Sequence, residues 1–177
     1  MKLLKVWDYN LTILLAVMMA LSVMSCRSID KPAQPDWLAS QELSDLEVLT
    51  RDGRQLHFSV YLASTRAQRG QGLSFVTNLP LDHGLLLVLP TPRQVTMWMK
   101  DTPISLDMVF TDAQGVVTQV VKNTSPNSSE LIASDGNVYA VLEVNAGTAQ
   151  RLDISPGDSV RHRLLNSKKM ESEVLPE

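Results

Sequence analysis

The sequence is poor in the residues that most metal sites and thiol-dependent sites use. Among its 177 residues there is one cysteine, Cys26, and there are three histidines, His57, His83 and His162. A single cysteine excludes an intramolecular disulfide. The histidines stand apart from one another and from carboxylates at metal-ligand spacing, so they do not form a zinc-binding pattern. The sequence therefore predicts neither a metal nor a cofactor.

Positive charge is also scarce. Sixteen lysines and arginines face 19 aspartates and glutamates, for a formal net charge of −3. A nucleic-acid surface needs a basic stripe that neutralises phosphates, and no such stripe is present. The chain also lacks a Gly-x-Ser-x-Gly elbow, a phosphate-binding glycine loop and a Ser-x-x-Lys pair. These absences exclude a nucleic-acid partner and favour a non-enzymatic module over an enzyme.

The N-terminus carries the clearest signal that is present. Lys2 and Lys5 precede an apolar or small-residue run from residue 11 to residue 24. This run is shorter than the roughly 20 residues of a membrane-spanning helix, as is typical of a secretory signal. Residues 23–26, Val-Met-Ser-Cys, resemble a lipobox. The resemblance implies cleavage after Ser25 and a diacylglycerol on Cys26, which would anchor the chain in a membrane. The alternative is an ordinary cysteine near a conventional cleavage site.

The rest of the chain divides by composition. We expect a signal peptide over residues 1–25, the lipidated cysteine and a flexible tether over 26–45, one β-rich domain over 46–165, and a disordered charged tail over 166–177. Pro32 and Pro35 interrupt the tether, although Trp37 and Leu38 could pack on the domain. Arg27 lacks the acidic character of an inner-membrane retention signal. The expected location is therefore the outer membrane, facing the periplasm.

Short strands and turns dominate the expected domain. Asp52-Gly53 is a hairpin signal between two alternating segments, and Thr65-x-x-Gln68 resembles a capping box that opens a short helix. A second short helix is expected around residues 148–152. The pattern predicts a mainly β, antiparallel sandwich or partly open barrel with two short helices. The expected strands are 46–50, 55–61, 85–89, 95–100, 104–110, 116–121, 137–144 and 159–165.

Several segments, in order, resemble the domain-of-unknown-function 192 family. They are Arg69-x-x-Gly72-Leu73, Gly84-Leu-Leu-Leu-Val88, the run from Trp98 to Phe110, Asp112-x-x-Gly115-Val-Val117, Val141-Leu-Glu-Val-Asn-Ala-Gly147 and Pro156-Gly-Asp158. The resemblance covers about residues 46–165. It implies a small secreted or lipid-anchored domain and supplies no chemistry. Ser74, Leu85 and Asp101 depart from the methionine, methionine and asparagine that are usual in the family.

The matched segments contain a candidate ligand site. On a strand, Trp98 and Lys100 would share one face while Met97 and Met99 point to the other. Lys100 and Arg69 could hold a carboxylate or phosphate, and Trp98 could supply an apolar wall. The candidate ligand-binding residues are Arg69, Trp98, Lys100, Thr102, Asp107 and Glu143.

Each candidate also has a structural interpretation. Trp98 could be a core residue, and Asp107, after a proline-containing turn, could fix a loop by accepting backbone hydrogen bonds. Arg69 and Glu143 could form a partly buried ion pair that joins helix to sheet.

Three function classes remain from the sequence. The preferred class is a non-enzymatic envelope module that binds a small polar or anionic ligand, or a protein partner, through the Trp98–Lys100 face. The second is a hydrolase of envelope polymers with Asp107 and Glu143 as paired carboxylates, about 5 to 10 Å apart in an open groove. The third is a purely structural component of an envelope assembly, which predicts an exposed apolar patch.

Overall fold

The computed structural model describes residues 36–165, which contain the whole of the expected β-rich domain. The leader, Cys26, the tether up to residue 35 and the C-terminal tail lie outside the described residues. Within residues 36–165 no helix is long and apolar enough to cross a membrane. The helices and strands are α1 (Asp36–Ala39), β1 (Ser44–Leu49), β2 (Gln55–Ala63), α2 (Arg66–Gln71), β3 (His83–Arg93), β4 (Thr96–Met97), β5 (Leu106–Thr111), β6 (Val117–Val121), β7 (Ile132–Ala133), β8 (Val138–Asn145), α3 (Thr148–Arg151) and β9 (Ser159–Arg161).

Seven of the strands form one curled sheet in the order β6-β5-β8-β3-β2-β1-β9, and β4 and β7 form a second, small sheet. The large sheet is a half-barrel, so the mainly β prediction is confirmed. Its two edge strands approach each other at one end, where Val116 forms a bridge with Ser159. The N–H of Val117 also donates to the carbonyl of Asp158 at 2.8 Å. A partly open barrel describes this arrangement.

One neighbouring pair of strands is parallel, which the sequence did not indicate. Tyr61 on β2 lies beside Leu85 on β3 in a parallel register, whereas the other strand pairs are antiparallel. Parallel neighbours cannot be joined by a tight hairpin and need a crossover connection. Residues 64–82, which include α2, supply that connection and are called the crossover below. They lie over the sheet and help to form the site described in the next section.

The sheet is apolar on both faces in its centre. The segment from Leu85 to Leu89 is continuously buried, as its uninterrupted apolar sequence predicted. Leu86 and Val88 belong to a core that contains residues from all seven strands. Only the inner face of a curled sheet can bring residues from every strand together. Leu85, Leu87 and Leu89 join a second core on the outer face, covered by α1, the crossover and the segment around β4. We call these the inner core and the outer core.

The folded unit begins earlier than the sequence suggested. Leu38 on α1 is fully buried in the outer core, and the side-chain oxygen of Gln41 accepts the N–H of Leu62 at 3.0 Å. Strand β1 starts at Ser44. The expected tether therefore needs correction for residues 36–45, which belong to the folded unit because Leu38 has apolar surface to bury against the sheet.

Two expected strands are shorter in the structure. Of residues 95–100 only Thr96 and Met97 are in a strand, paired with β7, which lies between the expected strands 116–121 and 137–144. After Trp98 the backbone turns, and Asp101 has a φ of 57° in the left-handed region that Asp and Asn tolerate. Likewise β9 ends at Arg161, and residues 163–165 are helical. The capping box is confirmed, since the Thr65 hydroxyl accepts the Gln68 N–H and the Gln68 side chain accepts the Thr65 N–H.

Candidate functional site

A small cleft of about 80 Å³ lies on the outer face of the sheet. One wall is the end of α2 and the chain that follows it, residues 69–74, and the other is β4 with the turn after it, residues 96–100. Leu87 of β3, Leu106 of β5 and Glu143 of β8 form the floor, and Thr102 also lines the space. The cleft is therefore built from five parts of the chain: the crossover, β3, β4 with the turn after it, β5 and β8.

The Glu143 carboxyl group is the unusual feature of this floor. The strand registers place Leu85 on one side of Glu143 and Met108 on the other, and both of these residues are buried and apolar. Glu143 is 5% exposed. None of the residues 36–165 gives its side chain a hydrogen bond or an ion pair within 4.0 Å. Burial raises the pKa of Glu143 from 4.5 to about 7, because an apolar environment disfavours the charged form.

Trp98 and Lys100 form the exposed rim of the cleft, in the turn that follows the end of β4 at Met97. Trp98 is 49% exposed, so the interpretation of Trp98 as a core residue is wrong. Met99, between them, is buried in the outer core. The ammonium group of Lys100 forms no ion pair with any residue that the structure describes. The rim thus offers an accessible indole and a cation without a counter-charge.

Arg69 also lines the cleft, but its guanidinium group is already engaged. One of its nitrogens, Nη1, donates to the carbonyl of Val88 at 3.0 Å and to the carbonyl of Ser64. The expected ion pair between Arg69 and Glu143 is not formed, so that interpretation is wrong. Arg69 instead ties the crossover to β3 through backbone carbonyls. Its positive charge nevertheless remains at the wall of the cleft.

Thr102 closes the far end of the turn. It is buried, and its hydroxyl donates to the carbonyl of Lys100 at 3.4 Å. Its carbonyl accepts the N–H of Asn127 at 2.9 Å, and its own N–H donates to the carbonyl of Met99 at 3.0 Å. Thr102 therefore fixes the turn that presents Lys100, with its side chain at the surface of the cleft.

Asp107 is not part of the cleft. Asp107 pairs with Val144 across β5 and β8, whereas Glu143 pairs with Met108, so the two carboxylates project from opposite faces of the sheet. Asp107 is fully buried and accepts the N–H groups of Asn123 and Ala149, each at 2.8 Å. Its assignment to the ligand site is wrong, and its structural interpretation is correct. The paired-carboxylate geometry required for the hydrolase is likewise absent.

Several residues of the cleft were missed from the sequence. They are the apolar side chains of Leu73, Leu87, Met97, Met99 and Leu106, which line its floor and walls together with Gly72. Gly72 has a φ of 53°, a conformation that other residues rarely adopt. Most of these residues lie inside the motifs that resemble the family, and this position in the motifs could have indicated that they belong to the site. Their apolar character suggested instead that they were core residues.

A wider depression of about 540 Å³ lies over β1, β2 and β9, and its lining includes Glu47, His57, Asp82 and Arg161. Some of its charged groups have partners within the domain. Arg161 contacts Glu47 at 3.4 Å, and Asp82 contacts His83 at 2.8 Å. Among residues 36–165 no group of three or more His, Cys, Asp or Glu side chains could hold a metal ion. The smaller cleft is therefore the better candidate site.

The fold and the cleft together define the class of protein. It is a mainly β domain with a small cleft around a buried carboxyl group. The family model DUF192, described as "Uncharacterized ACR", matches residues 47–162. The chain belongs to this family, as the sequence motifs predicted.

The solved structures that are similar to the chain include two bacterial proteins. One is a protein from Sinorhizobium meliloti 1021, described provisionally as a transcription regulator, with 38% identity over 68% of this chain and 93% of that chain and a TM-score of 0.67. The other is a protein of unknown function from Novosphingobium aromaticivorans DSM 12444, with 32% identity over 74% of this chain and 92% of that chain and a TM-score of 0.68. No curated protein matches the chain.

Proposed function

We propose that this chain is an exported, lipid-anchored protein of the bacterial cell envelope whose domain binds a small polar or anionic ligand in the cleft. The observation that carries the binding proposal is the Glu143 carboxyl, which is buried in the floor with no partner among the described residues. Among the described residues Trp37 Nε1 is the one fully enclosed side-chain atom without a hydrogen-bond partner, so the oxygens of Glu143 are open to the cleft. A fold that keeps such a group beside an opening is therefore suited to a ligand that supplies the missing hydrogen bonds.

The charges around the cleft favour an anion. Arg69 and Lys100 carry two positive charges at its walls and rim, and Glu143 is the only carboxylic acid that lines it. Burial keeps much of Glu143 neutral near pH 7, so the cleft has a positive balance in a chain whose net charge is −3. Opposite charge raises the local concentration of a ligand and favours its binding.

The envelope location rests on the N-terminal sequence. Lys2 and Lys5, the apolar run of residues 11–24, and the cysteine at the end of the lipobox-like segment support export followed by lipidation of Cys26. The proposed partner of this end of the chain is the membrane, and the proposed location is the outer membrane facing the periplasm. A role as a transcription regulator is not adopted for this chain, because its sequence has no basic stripe for nucleic acid.

A second candidate function is the docking of an envelope protein or a role in an envelope assembly. Met97 pairs with Ile132, so Trp98 and Leu131 are the next residues outward on the two strands. Leu131 is 68% exposed and Phe75, beside the cleft wall, is 62% exposed. Exposed apolar side chains next to a polar site are typical of a contact surface. A Leu131→Ser variant would weaken docking of a protein while leaving the binding of a small ligand intact.

The ligand-binding proposal can be tested by NMR on the full chain purified in detergent. Cleavage after Ser25 would remove Trp7, so the mature chain keeps Trp37 and Trp98 and two indole N–H signals are expected. Trp98→Phe identifies the signal of Trp98. We would titrate the labelled protein with acetate, inorganic phosphate, acetamide and methylammonium. A shift of the Trp98 signal, without a shift of Trp37, is expected for at least one probe. If no probe moves the Trp98 signal, the cleft is not a ligand site.

A further inference from the structure

We infer, on the basis of the proposed function, that the ligand of the cleft is a short-chain carboxylic acid. Its carboxylate would lie between the ammonium group of Lys100 and a protonated Glu143, and its apolar tail would lie against the methionine and leucine walls. The ligand class of the proposed site is thus a carboxylate, and Glu143 is the group that provides the proton.

The hydrogen-bonding capacity of the floor favours a carboxylate. A protonated carboxyl group donates one O–H and still accepts, whereas an ionised one accepts only. A bound carboxylate can therefore accept the O–H of Glu143 with one oxygen and an N–H of Lys100 with the other. Charge-assisted hydrogen bonds of this kind are among the strongest in proteins. An ammonium ligand would instead face the charges of Arg69 and Lys100 across the cleft.

The size and lining of the cleft limit the rest of the ligand. A volume of about 80 Å³ holds a handful of water molecules, which is too little for a sugar chain or a nucleotide. Its floor and walls include Leu73, Leu87, Met97, Met99 and Leu106, and the polar side chains of Gln71, Ser74, Thr96 and Thr102 also line it. A carboxylate with a tail of a few carbons satisfies the floor and buries its tail against the leucine and methionine side chains.

The proton has to come from Glu143 itself, because no other acid faces it. From β3 it meets Leu85, and from β5 it meets Met108. Leu87 and Leu106 complete the apolar floor.

The remaining polar groups lie on the elements packed around this floor. The crossover contributes Arg69, held by two carbonyls, and the turn after β4 contributes Lys100 and Thr102. Further along β3, His83 contacts Asp82 at 2.8 Å. Burial alone raises the pKa of Glu143 to about 7. Above that pH Glu143 must take up a proton from the solvent before the ligand can bind in this way, so the affinity should fall by about tenfold per pH unit.

The test is a calorimetric or NMR titration of the full chain with propionate at about pH 6 and about pH 8.5. We expect the affinity of the wild-type protein to be at least about tenfold higher at the lower pH. Glu143→Gln should still bind propionate, because its amide N–H replaces the O–H, and should lose the pH dependence. Lys100→Ala should weaken binding about tenfold or more at both pH values. Lys122→Ala, an exposed lysine outside the cleft, is the matched control and should bind as the wild type does.

Other outcomes separate this inference from the proposed function. If propionamide or propylammonium binds more tightly than propionate and shifts the Trp98 signal, the cleft is a ligand site but the carboxylic acid inference is wrong. If the wild-type affinity for propionate is the same at both pH values, the proton of Glu143 is not involved and the inference is wrong. If N-acetyl-alanyl-alanine binds far more tightly than propionate, carboxylate recognition stands and the source is a peptide end, which overturns the short-chain acid. If no probe binds, both proposals fail.

Discussion

Asp107 and Glu143 lie on adjacent strands of one sheet, one residue apart in register, and project from its opposite faces. Asp107 is enclosed by the inner side of the sheet and satisfied by two backbone N–H groups. Glu143 is enclosed by the outer side and has no partner among the described residues. Two carboxylic acids of similar burial therefore have different environments, and only Glu143 is placed to meet a ligand.

Asp107 substitutes for a missing helix cap, and its loss should destabilise the fold. Helix α3 begins after Gly147, which has no side chain to cap it, and the carboxylate of Asp107 accepts the Ala149 N–H in its place. We expect Asp107→Asn to lower the free energy of unfolding by about 1–3 kcal/mol, because an amide has one acceptor oxygen where two are needed. Denaturant unfolding measures this. Asp101→Asn, at an exposed left-handed position, is the control and should be nearly neutral. A stable Asp107→Asn variant that had lost ligand binding would contradict the assignment.

Glu143 should make the protein less stable as the pH rises. Burial raises the pKa of Glu143 from 4.5 in the unfolded chain to about 7 in the folded one, so folding favours the protonated form. This contribution is fully present below pH 4.5 and is lost as the pH rises through about 7, a loss of about 3 kcal/mol in total. The free energy of unfolding should be measured for the wild type and for Glu143→Gln across this pH range. The variant should become more stable relative to the wild type as the pH rises. A constant difference would show that Glu143 does not titrate in this way.

His162 should have the opposite effect, at acidic pH. It is buried, its Nε2 lies 2.9 Å from the Ser44 hydroxyl, and its Nδ1 accepts the N–H of Leu164 at 3.2 Å. Burial, with a smaller contribution from the charge of Arg163, lowers the pKa of His162 below 6.5. The stability it contributes is present above pH 6.5 and is lost as the pH falls through the folded-state pKa.

The variants that test this are His162→Gln and, as control, His57→Gln at an exposed position. The difference in thermal midpoint between neutral and mildly acidic pH should shrink for His162→Gln and should not change for His57→Gln. An unchanged difference in the His162 variant would contradict the role of its protonation.

Cys26→Ser should release the protein from the membrane. The substitution removes the thiol that would carry the diacylglycerol, so labelled palmitate should no longer be incorporated. The protein should then move from the membrane fraction to the soluble fraction, while the wild type stays with the membrane. Membrane association of Cys26→Ser without incorporated lipid would indicate instead that the apolar run of residues 11–24 is an uncleaved anchor.

The sequence predicted the elements whose signals are local. The capping box at Thr65 and the buried run at Leu85–Leu89 follow from side-chain chemistry within a few residues. It did not predict the parallel pairing of β2 with β3, because the crossover that imposes it depends on contacts distant in the chain. For the same reason Asp107 and Glu143 could not be assigned to faces. Their separation is set by the register of β5 against β8, which no single segment encodes.

The meeting of the two edge strands has a consequence for the association of one copy of the domain with another. Exposed strand edges are templates for pairing with other copies, and they lead to aggregation. Val116 forms a bridge with Ser159, and the Val160 N–H donates to the Gly115 carbonyl at 2.7 Å. Some backbone groups of each edge are therefore hydrogen-bonded to the other edge. Once the strand pairs have formed, the half-barrel thus leaves fewer free backbone groups for self-association.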